Sequence, residues 1–203
     1  MMAHSIRHAL DCPYITRTIV STDSEKYAEI AREYGAQVPF IRPAQLATDT
    51  ALDVDVFYHA LKYLQDNEGY RPELVVQLRP TCPVRRISDI NAMIEIMLSD
   101  ETLDSVRSVV PATEIPYKMW FLNDDGTTIR PVIDDPPECY NMPRQELRTA
   151  YYQNACIDVL RPWVVLEQHS MSGIKIGGYI MKDFIDIDTP EDFERAVRII
   201  QED

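Results

Sequence analysis

Two aspartates near the carboxyl terminus have the residue type and spacing that most clearly indicate chemistry. In Ile185-Asp186-Ile187-Asp188-Thr189-Pro190, acidic and apolar residues alternate. Extended backbone therefore places both carboxylates on one face and both isoleucines on the other. Close like charges are unfavourable unless a cation lies between them, and Mg²⁺ prefers one or two carboxylates together with phosphate oxygens. The segment predicts a magnesium site; the alternative is a half-exposed strand leading into a well-capped helix.

A basic loop follows the predicted strand 74–78. Residues 79–86 read Arg-Pro-Thr-Cys-Pro-Val-Arg-Arg, in which two prolines stiffen the turn between the arginines. Open α/β sheets form their ligand crevice beyond the carboxyl ends of the strands, and guanidinium groups bind carboxylate and phosphate in bidentate fashion. The loop is a candidate anion-binding site; the alternative is a rigid connector with solvated arginines.

Four further groups are weaker candidates. Ser21-Thr22-Asp23, Arg42-Pro43 and Asp49-Thr50-Ala51 are predicted to lie at the same edge of the sheet. Each of these three alone is more typical of a helix cap or a loop. Arg144-Gln145 falls in an irregular segment, where a plain polar loop is the alternative.

The elements that must position these residues alternate between strands and helices, which predicts an α/β fold with a mostly parallel sheet flanked by helices. Strands are predicted at 15–22, 37–41, 74–78, 105–110, 155–160 and 174–181. Helices are predicted at 2–10, 24–34, 50–67, from a cap at Ser88, and at 190–200. Asp125-Gly126 predicts a hairpin turn, and residues 132–148 lack periodicity, which indicates an arm that projects from the sheet.

The composition excludes several classes of function. With 20 basic and 33 acidic residues the net charge is −13, which opposes binding to nucleic acid or to an anionic membrane. The four cysteines form no CxxC pair, and no long apolar run or leader is present, so a cytoplasmic protein is expected. No order of serine, cysteine and histidine suggests a nucleophilic triad, and no glycine-rich phosphate loop is found among only six glycines.

Five segments together resemble the acylneuraminate cytidylyltransferases, the CMP-sialic acid synthetases and their relatives for other 2-keto-3-deoxy acids. The resemblance covers nearly the whole chain. The segments that carry it are Ile19-Val20-Ser21-Thr22-Asp23, residues 42–51 (Arg-Pro-Ala-Gln-Leu-Ala-Thr-Asp-Thr-Ala), residues 78–85 (Leu-Arg-Pro-Thr-Cys-Pro-Val-Arg), Arg144-Gln145 and Ile185-Asp186-Ile187-Asp188-Thr189.

This resemblance implies a Rossmann-like nucleotidyltransferase that joins CTP to an acidic sugar with release of pyrophosphate. It implies that Asp186 and Asp188 are catalytic and hold Mg²⁺ on the phosphates. The implied nucleotide-binding residues are Asp23, Arg42, Thr50, Ala51 and Asp53. The implied contacts to the acidic 2-keto-3-deoxy sugar are Arg79, Thr81, Arg144, Gln145 and Asn154. The arm, at about 132–150, resembles the dimerisation extension of the family, so a homodimer is expected.

Two departures from the family refine these expectations. Arg79 stands where sialic acid synthetases commonly have glutamine, and Tyr152-Gln153-Asn154-Ala155 stands where they have Arg-Pro-Asn-Gly. A legionaminic-type or other modified nonulosonic acid is therefore expected as the sugar. The family also opens with a strand and a lysine-bearing glycine loop, and this chain resembles it only from the following helix onward. Residues 1–203 are thus expected to form one N-terminally incomplete domain with weak or no activity.

Two alternatives to a CMP-nonulosonic acid synthetase stay open. One is a non-catalytic homologue that binds a nucleotide or a sugar. The other is a cytidylyltransferase for the eight-carbon sugar Kdo, which the Arg144-Gln145 pair disfavours.

Overall fold

The computed structural model of the chain describes residues 1–202, with the backbone alone for Glu202. The helices are α1 (Met2–Asp11), α2 (Glu25–Glu33), α3 (Asp53–Glu68), α4 (Ile87–Ser99), α5 (Pro162–Leu166) and α6 (Pro190–Glu202). The strands are β1 (Val75–Leu78), β2 (Ser105–Pro111), β3 (Trp120–Leu122), β4 (Ile129–Pro131), β5 (Tyr151–Leu160) and β6 (Ile176–Ile180). One unit comprises Met1–Ser108 and the chain from Asn154 onward, and a second comprises Val109–Gln153.

Capping residues set several helix boundaries as the sequence predicts. The Ser24 side chain accepts a hydrogen bond from the Tyr27 amide at the start of α2. Gly69 ends α3 in the left-handed conformation, with φ of 64°. Before α6, Thr189 and Asp192 form a reciprocal capping box, in which each side chain accepts a bond from the other's backbone amide.

The main sheet has the strand order β1-β5-β2-β6. The predicted α/β fold is confirmed, but β1 and β5 run antiparallel, with Val75 opposite Leu160, so the sheet is mixed. The direction of a strand is predicted from the alternation of strands and helices. This alternation is interrupted by the segment between β2 and β5. The direction of β5 therefore could not be predicted from the sequence.

Two predicted strands are reduced to a single backbone bridge. Residues 15–22 and 37–41 are joined by one parallel bridge between Ile19 and Gln37. The Val20 amide donates to the Gln37 carbonyl at 2.9 Å, and the Gln37 amide donates to the Thr18 carbonyl at 2.8 Å. The predicted pairing is present, but it does not extend far enough to form regular strands.

Helix α4 packs through an apolar face. Its residues Ile90, Met93, Ile94 and Met97 are all buried. Two predicted helix starts were wrong. The helix predicted from residue 50 begins only at Asp53, and Leu52 before it is 61% exposed. Ser88 does not cap α4, because the helix already begins at Ile87.

The second unit is built around the hairpin of β3 and β4. Leu122 and Ile129 pair at its closing end, and Gly126 lies in the turn with φ of 67°, a conformation that glycine adopts without strain. The ring of Trp120 packs on that of Tyr140, with centroids 4.6 Å apart. Lys118 Nζ donates to the Tyr140 carbonyl at 2.9 Å, which fixes the following loop. A role of this unit in dimerisation stays a prediction.

None of the helices in residues 1–202 has the length and apolar character needed to cross a membrane.

Candidate active site

The arginine loop (79–86) lies directly against the acidic segment (185–189). Val84 and Ile185 form an antiparallel bridge, and the Ile187 amide donates to the Thr81 carbonyl at 2.9 Å. These backbone contacts hold two of the sequence motifs beside each other, although residues 81 and 187 are far apart in the chain. Thr81 is half-buried, and its carbonyl serves this contact.

The acidic segment has the predicted two-faced character. Ile185 and Ile187 pack in one apolar cluster with Val84 and Ala196. The alternation of an extended chain directs Asp186 and Asp188 to the opposite face. Within the described part of the chain, neither aspartate forms an ion pair.

Asp186 and Asp188 fit Mg²⁺, which prefers carboxylate oxygens and keeps several ligands from water or phosphate. Asp186 Oδ1 accepts a hydrogen bond from the Cys82 thiol, with an Sγ–Oδ1 distance of 3.7 Å. Because a thiol is a weak donor, this bond leaves the carboxylate largely available to a cation. No group of three or more potential metal-ligating side chains occurs in residues 1–202. A cation bound here would therefore need its remaining ligands from a substrate or from water.

Cys82 and Cys156 are both fully buried behind this segment. The neighbouring Cys156 thiol, burial and the nearby Asp186 carboxylate raise the pKa of the Cys82 thiol, and Arg85 partly opposes them. Cys82 is thus held as a neutral donor that faces the carboxylate.

Arg85 fastens the arginine loop from the interior. It is only 6% exposed, and its Nη1 donates to Ser5 Oγ of α1 at 3.1 Å. Its Nη2 donates to the Arg79 carbonyl. Arg85 forms no ion pair within the described residues, so this buried cation positions the loop by hydrogen bonds alone.

Arg79 brings together two predicted sets of residues. Its Nη2 lies 2.6 Å from Asp53 Oδ2, which joins a predicted sugar contact to a predicted nucleotide contact. Gln77 Nε2 donates to the same carboxylate oxygen at 3.2 Å. Asp53 is the first residue of α3, so it fixes the helix start against the end of β1.

The other predicted nucleotide-binding residues form a second group. Arg42 Nη2 donates to the Ser21 carbonyl at 3.2 Å and Nη1 donates to the Leu46 carbonyl at 3.4 Å. This holds the loop that carries the exposed Asp23. Thr50 lies next to Ala51, whose amide donates to the Thr48 carbonyl at 3.1 Å just before α3.

The remaining predicted sugar contacts are Asn154, Arg144 and Gln145. Asn154 is 1% exposed, and its Oδ1 accepts bonds from Ser108 Oγ at 2.6 Å and from the Cys156 amide at 3.3 Å. Its side chain is therefore used inside the sheet, and a sugar contact by it stays a prediction. Arg144 and Gln145 are exposed and lie in a short helical turn, Arg144–Glu146, of the second unit.

Sequence reasoning missed three polar residues on the inner strands. Gln77, Arg107 and Asp158 lie on the neighbouring strands β1, β2 and β5. Burial raises the pKa of Asp158, an effect that Arg107 and Arg79 partly oppose. The available signal was the interruption of apolar strands by polar residues, in Val75-Val76-Gln77-Leu78 and Ile157-Asp158-Val159-Leu160.

A family comparison identifies this arrangement. Residues 1–121 match the family model described as Cytidylyltransferase. The chain belongs to the cytidylyltransferase family. Its enzyme class is therefore nucleotidyltransferase, and the predicted family and fold are confirmed.

Relatives in this family match along the whole chain. The chain is 29% identical to the post-translational flagellin modification protein B of Campylobacter coli, over 100% of this chain and 84% of that protein. It is 31% identical to the N-acylneuraminate cytidylyltransferase of Escherichia coli O18:K1:H7, over 99% of this chain but only 46% of that protein. It is 28% identical to the CMP-N,N'-diacetyllegionaminic acid synthase of Legionella pneumophila, over 99% of this chain and 85% of that one.

Solved structures support the fold. A CMP:2-keto-3-deoxy-manno-octonic acid synthetase complexed with CTP superposes with a TM-score of 0.70 and 15% identity, over 99% of this chain and 87% of that one. The 4-diphosphocytidyl-2C-methyl-D-erythritol synthase of Anaerococcus prevotii gives 0.64 and 13% identity, over 98% and 85%. At these identities the likeness establishes the nucleotidyltransferase fold.

Proposed function

We propose that this protein transfers the cytidylyl group of CTP to an acidic nonulosonic sugar with release of pyrophosphate. The observation that carries the proposal is the direct contact between the arginine loop and the acidic segment, made by the Val84–Ile185 bridge and the Cys82–Asp186 hydrogen bond. Cationic side chains and carboxylates available to a metal are thereby held at one place, as a reaction between two anionic substrates requires.

Each group has a defined task in this proposal. Arg42 and the residues before α3 hold the loops that bind cytidine, and Arg79 binds the sugar carboxylate. Asp186 and Asp188 hold Mg²⁺, which when bound offsets phosphate charge and favours ionisation of the attacking hydroxyl. Arg85 keeps the loop in register by its bonds to Ser5 and to the Arg79 carbonyl.

The choice of sugar follows the relatives. Their names refer to N-acylneuraminate and to N,N'-diacetyllegionaminic acid, which both carry acylamino groups. Arg79 in place of glutamine favours a sugar other than N-acetylneuraminate itself.

We further propose that the second unit mediates a homodimer. Its hairpin exposes Trp120 (41%), Phe121 (46%), Leu122 (66%) and Ile129 (55%), an apolar surface suited to an interface. Light scattering should give twice the monomer mass, and Leu122→Glu should give the monomer mass. A monomeric unmodified chain would contradict this proposal.

Pyrophosphate release tests the function. CTP, Mg²⁺ and a panel of nonulosonic acids and Kdo are incubated with the 203-residue chain and with a version extended into the upstream coding sequence. Release that depends on one nonulosonic acid supports the proposal. Release with Kdo alone favours the eight-carbon alternative, and no release with any sugar by either version contradicts the proposed function.

A further inference from the structure

The last strand of the main sheet leaves its outer edge unpaired. Strand β6 (Ile176–Ile180) ends the strand order β1-β5-β2-β6, and no strand or isolated bridge in the described residues pairs with its outer edge. Exposed and half-buried residues alternate along β6, with Ile176, Gly178 and Ile180 on the exposed side. An edge of this kind presents backbone N–H and C=O groups that can pair with another strand.

The exposed side of β6 is apolar, and the backbone that presents it is fixed. Ile176 is 49% exposed, Ile180 is 52% exposed, and Ile174, just before the strand, is 89% exposed. The buried Asp104 carboxylate accepts hydrogen bonds from the amide of Ile174 at 2.6 Å and from the amide of Lys175 at 2.9 Å. Because this backbone is already held in place, a partner that binds the isoleucines orders little further chain.

The other side of β6 is used within the chain. The Tyr179 hydroxyl donates to Asp89 Oδ1 of α4 at 2.8 Å, and a Cβ added at Gly177 would lie 3.0 Å from a methyl group of Val106. Natural edge strands are commonly protected by charged residues, proline or a bulge. Residues 176–180 read Ile-Gly-Gly-Tyr-Ile and contain neither a charge nor a proline. The isoleucine side and the outer edge are therefore open to a partner.

We propose that β6 is a self-association surface, on which β6 of a second copy of this chain pairs antiparallel about a two-fold axis at Gly178. Full overlap of the two strands places Ile176 of each copy opposite Ile180 of the other, so the isoleucines form cross-strand apolar pairs. The same register places Tyr179 opposite Gly177, where the missing side chain leaves room for an aromatic ring. The strand is complementary to itself, and this property selects a second copy as its partner.

The charge and the size of β6 set the strength of this pairing. The chain has a net charge of −13, so two copies repel each other, but β6 brings no carboxylate to the contact. A stable interface buries about 800 Å² on each partner, which is more than a strand of this length supplies. The dissociation constant should therefore be on the order of 0.1 mM, so the pairing adds to the proposed hairpin dimer only at high protein concentration. It does not depend on the proposed function.

Sedimentation equilibrium over a range of protein concentrations tests the pairing. From about 5 µM to about 0.5 mM the average mass of the unmodified chain should rise by at least about half. Ile176→Lys places a charge opposite an isoleucine and should weaken this association at least about tenfold. Leu98→Lys is the matched control, because Leu98 is also an exposed apolar residue (43%) but lies on α4, and this variant should associate like the unmodified chain. Thermal melting verifies that each variant is folded.

The outcomes keep this proposal separate from the hairpin dimer. Leu122→Glu, which removes the hairpin contact, should still show the same relative rise in mass with concentration. A constant mass up to about 0.5 mM in the unmodified chain would overturn the proposal, and so would an equal rise in Ile176→Lys.

Crosslinking tests the register of the two strands. The two copies of residue 178 should lie about 5 Å apart on the axis, whereas Ile174 lies opposite residue 182, so its two copies should lie roughly 27 Å apart at about 3.4 Å per residue. A short bismaleimide should therefore crosslink Gly178→Cys and not Ile174→Cys, although position 174 is the highly exposed one. The unmodified chain, whose four cysteines are buried, is the blank. Equal crosslinking of the two variants, or none of Gly178→Cys at about 0.5 mM, would overturn the proposal.

Discussion

The arginine loop and the acidic segment lie side by side, but they use their charges differently. Arg79 is paired with Asp53, and Arg85 is buried against a carbonyl and a hydroxyl. In the described residues Asp186 and Asp188 form no ion pair. The contacts of these two arginines thus build the site. The carboxylates of Asp186 and Asp188 have no ionic partner in the described residues.

Removing the acids should have the largest effect on activity. Asp186→Asn and Asp188→Asn each replace a carboxylate that we propose binds the metal by a neutral amide, so turnover should fall by at least about a hundredfold. The free energy of unfolding should change little, since neither carboxylate forms an ion pair within the described residues. Pyrophosphate release and chemical denaturation provide the two measurements. Asp183→Asn is the matched control, and a similar loss in that variant would count against a metal role.

Removing Arg85 should have the largest effect on stability. Arg85→Met removes the donor to the Ser5 hydroxyl and one of the two donors to the Arg79 carbonyl, which keeps a bond from Ser5 Oγ at 3.3 Å. The free energy of unfolding should fall by about 1–3 kcal/mol. Urea denaturation measures this loss. Arg86 is the adjacent control, because its side chain is 66% exposed and its ion pair with Asp183 contributes at most about 1 kcal/mol. If Arg85→Met and the same substitution at Arg86 lower the free energy of unfolding equally, Arg85 does not anchor the loop.

Sequence reasoning located the motifs better than it located their contacts. The alternation in residues 185–188 predicts the two faces correctly, because extended backbone imposes a period of two. The pairing of Arg79 with Asp53 depends on how α3 packs against β1, which no local pattern encodes. Asp158 was missed for the same reason: an acidic residue inside an apolar strand becomes informative only when its cross-strand neighbours are known. The antiparallel direction of β5 also depends on long-range packing.

The burial of His8 near Arg85 also predicts a pH dependence. Burial and the positive charge of Arg85 lower the pKa of His8 in α1 from 6.5 to about 4, with a smaller contribution from His4 and opposition from Asp11. Between these values the unfolded chain binds more protons, so the stability due to neutral His8 is present above pH 6.5 and is lost as the pH falls toward 4.

His8→Gln should remove this contribution. Between pH 7 and pH 4.5 the free energy of unfolding should fall by about 1 kcal/mol less in the variant than in the unmodified protein. This figure is reduced for the partial solvent exposure of His8. Asp158, whose pKa is raised by burial, acts with the opposite sign in acid and is common to both proteins. Urea denaturation across this pH range measures the difference in unfolding free energy between the two proteins. If the two free energies change in parallel with pH, His8 has no role in the pH dependence.

The smallest expected effect concerns the strand behind the arginine loop. Ala155, in β5, has φ of 53°. This left-handed conformation is strained for alanine but not for glycine, so Ala155→Gly should raise the free energy of unfolding by about 1 kcal/mol. Ala60→Gly, within α3, should lower it by about the same amount. Opposite signs of the two changes in urea denaturation would place the strain at Ala155. A lower free energy of unfolding in both variants would contradict strain at Ala155.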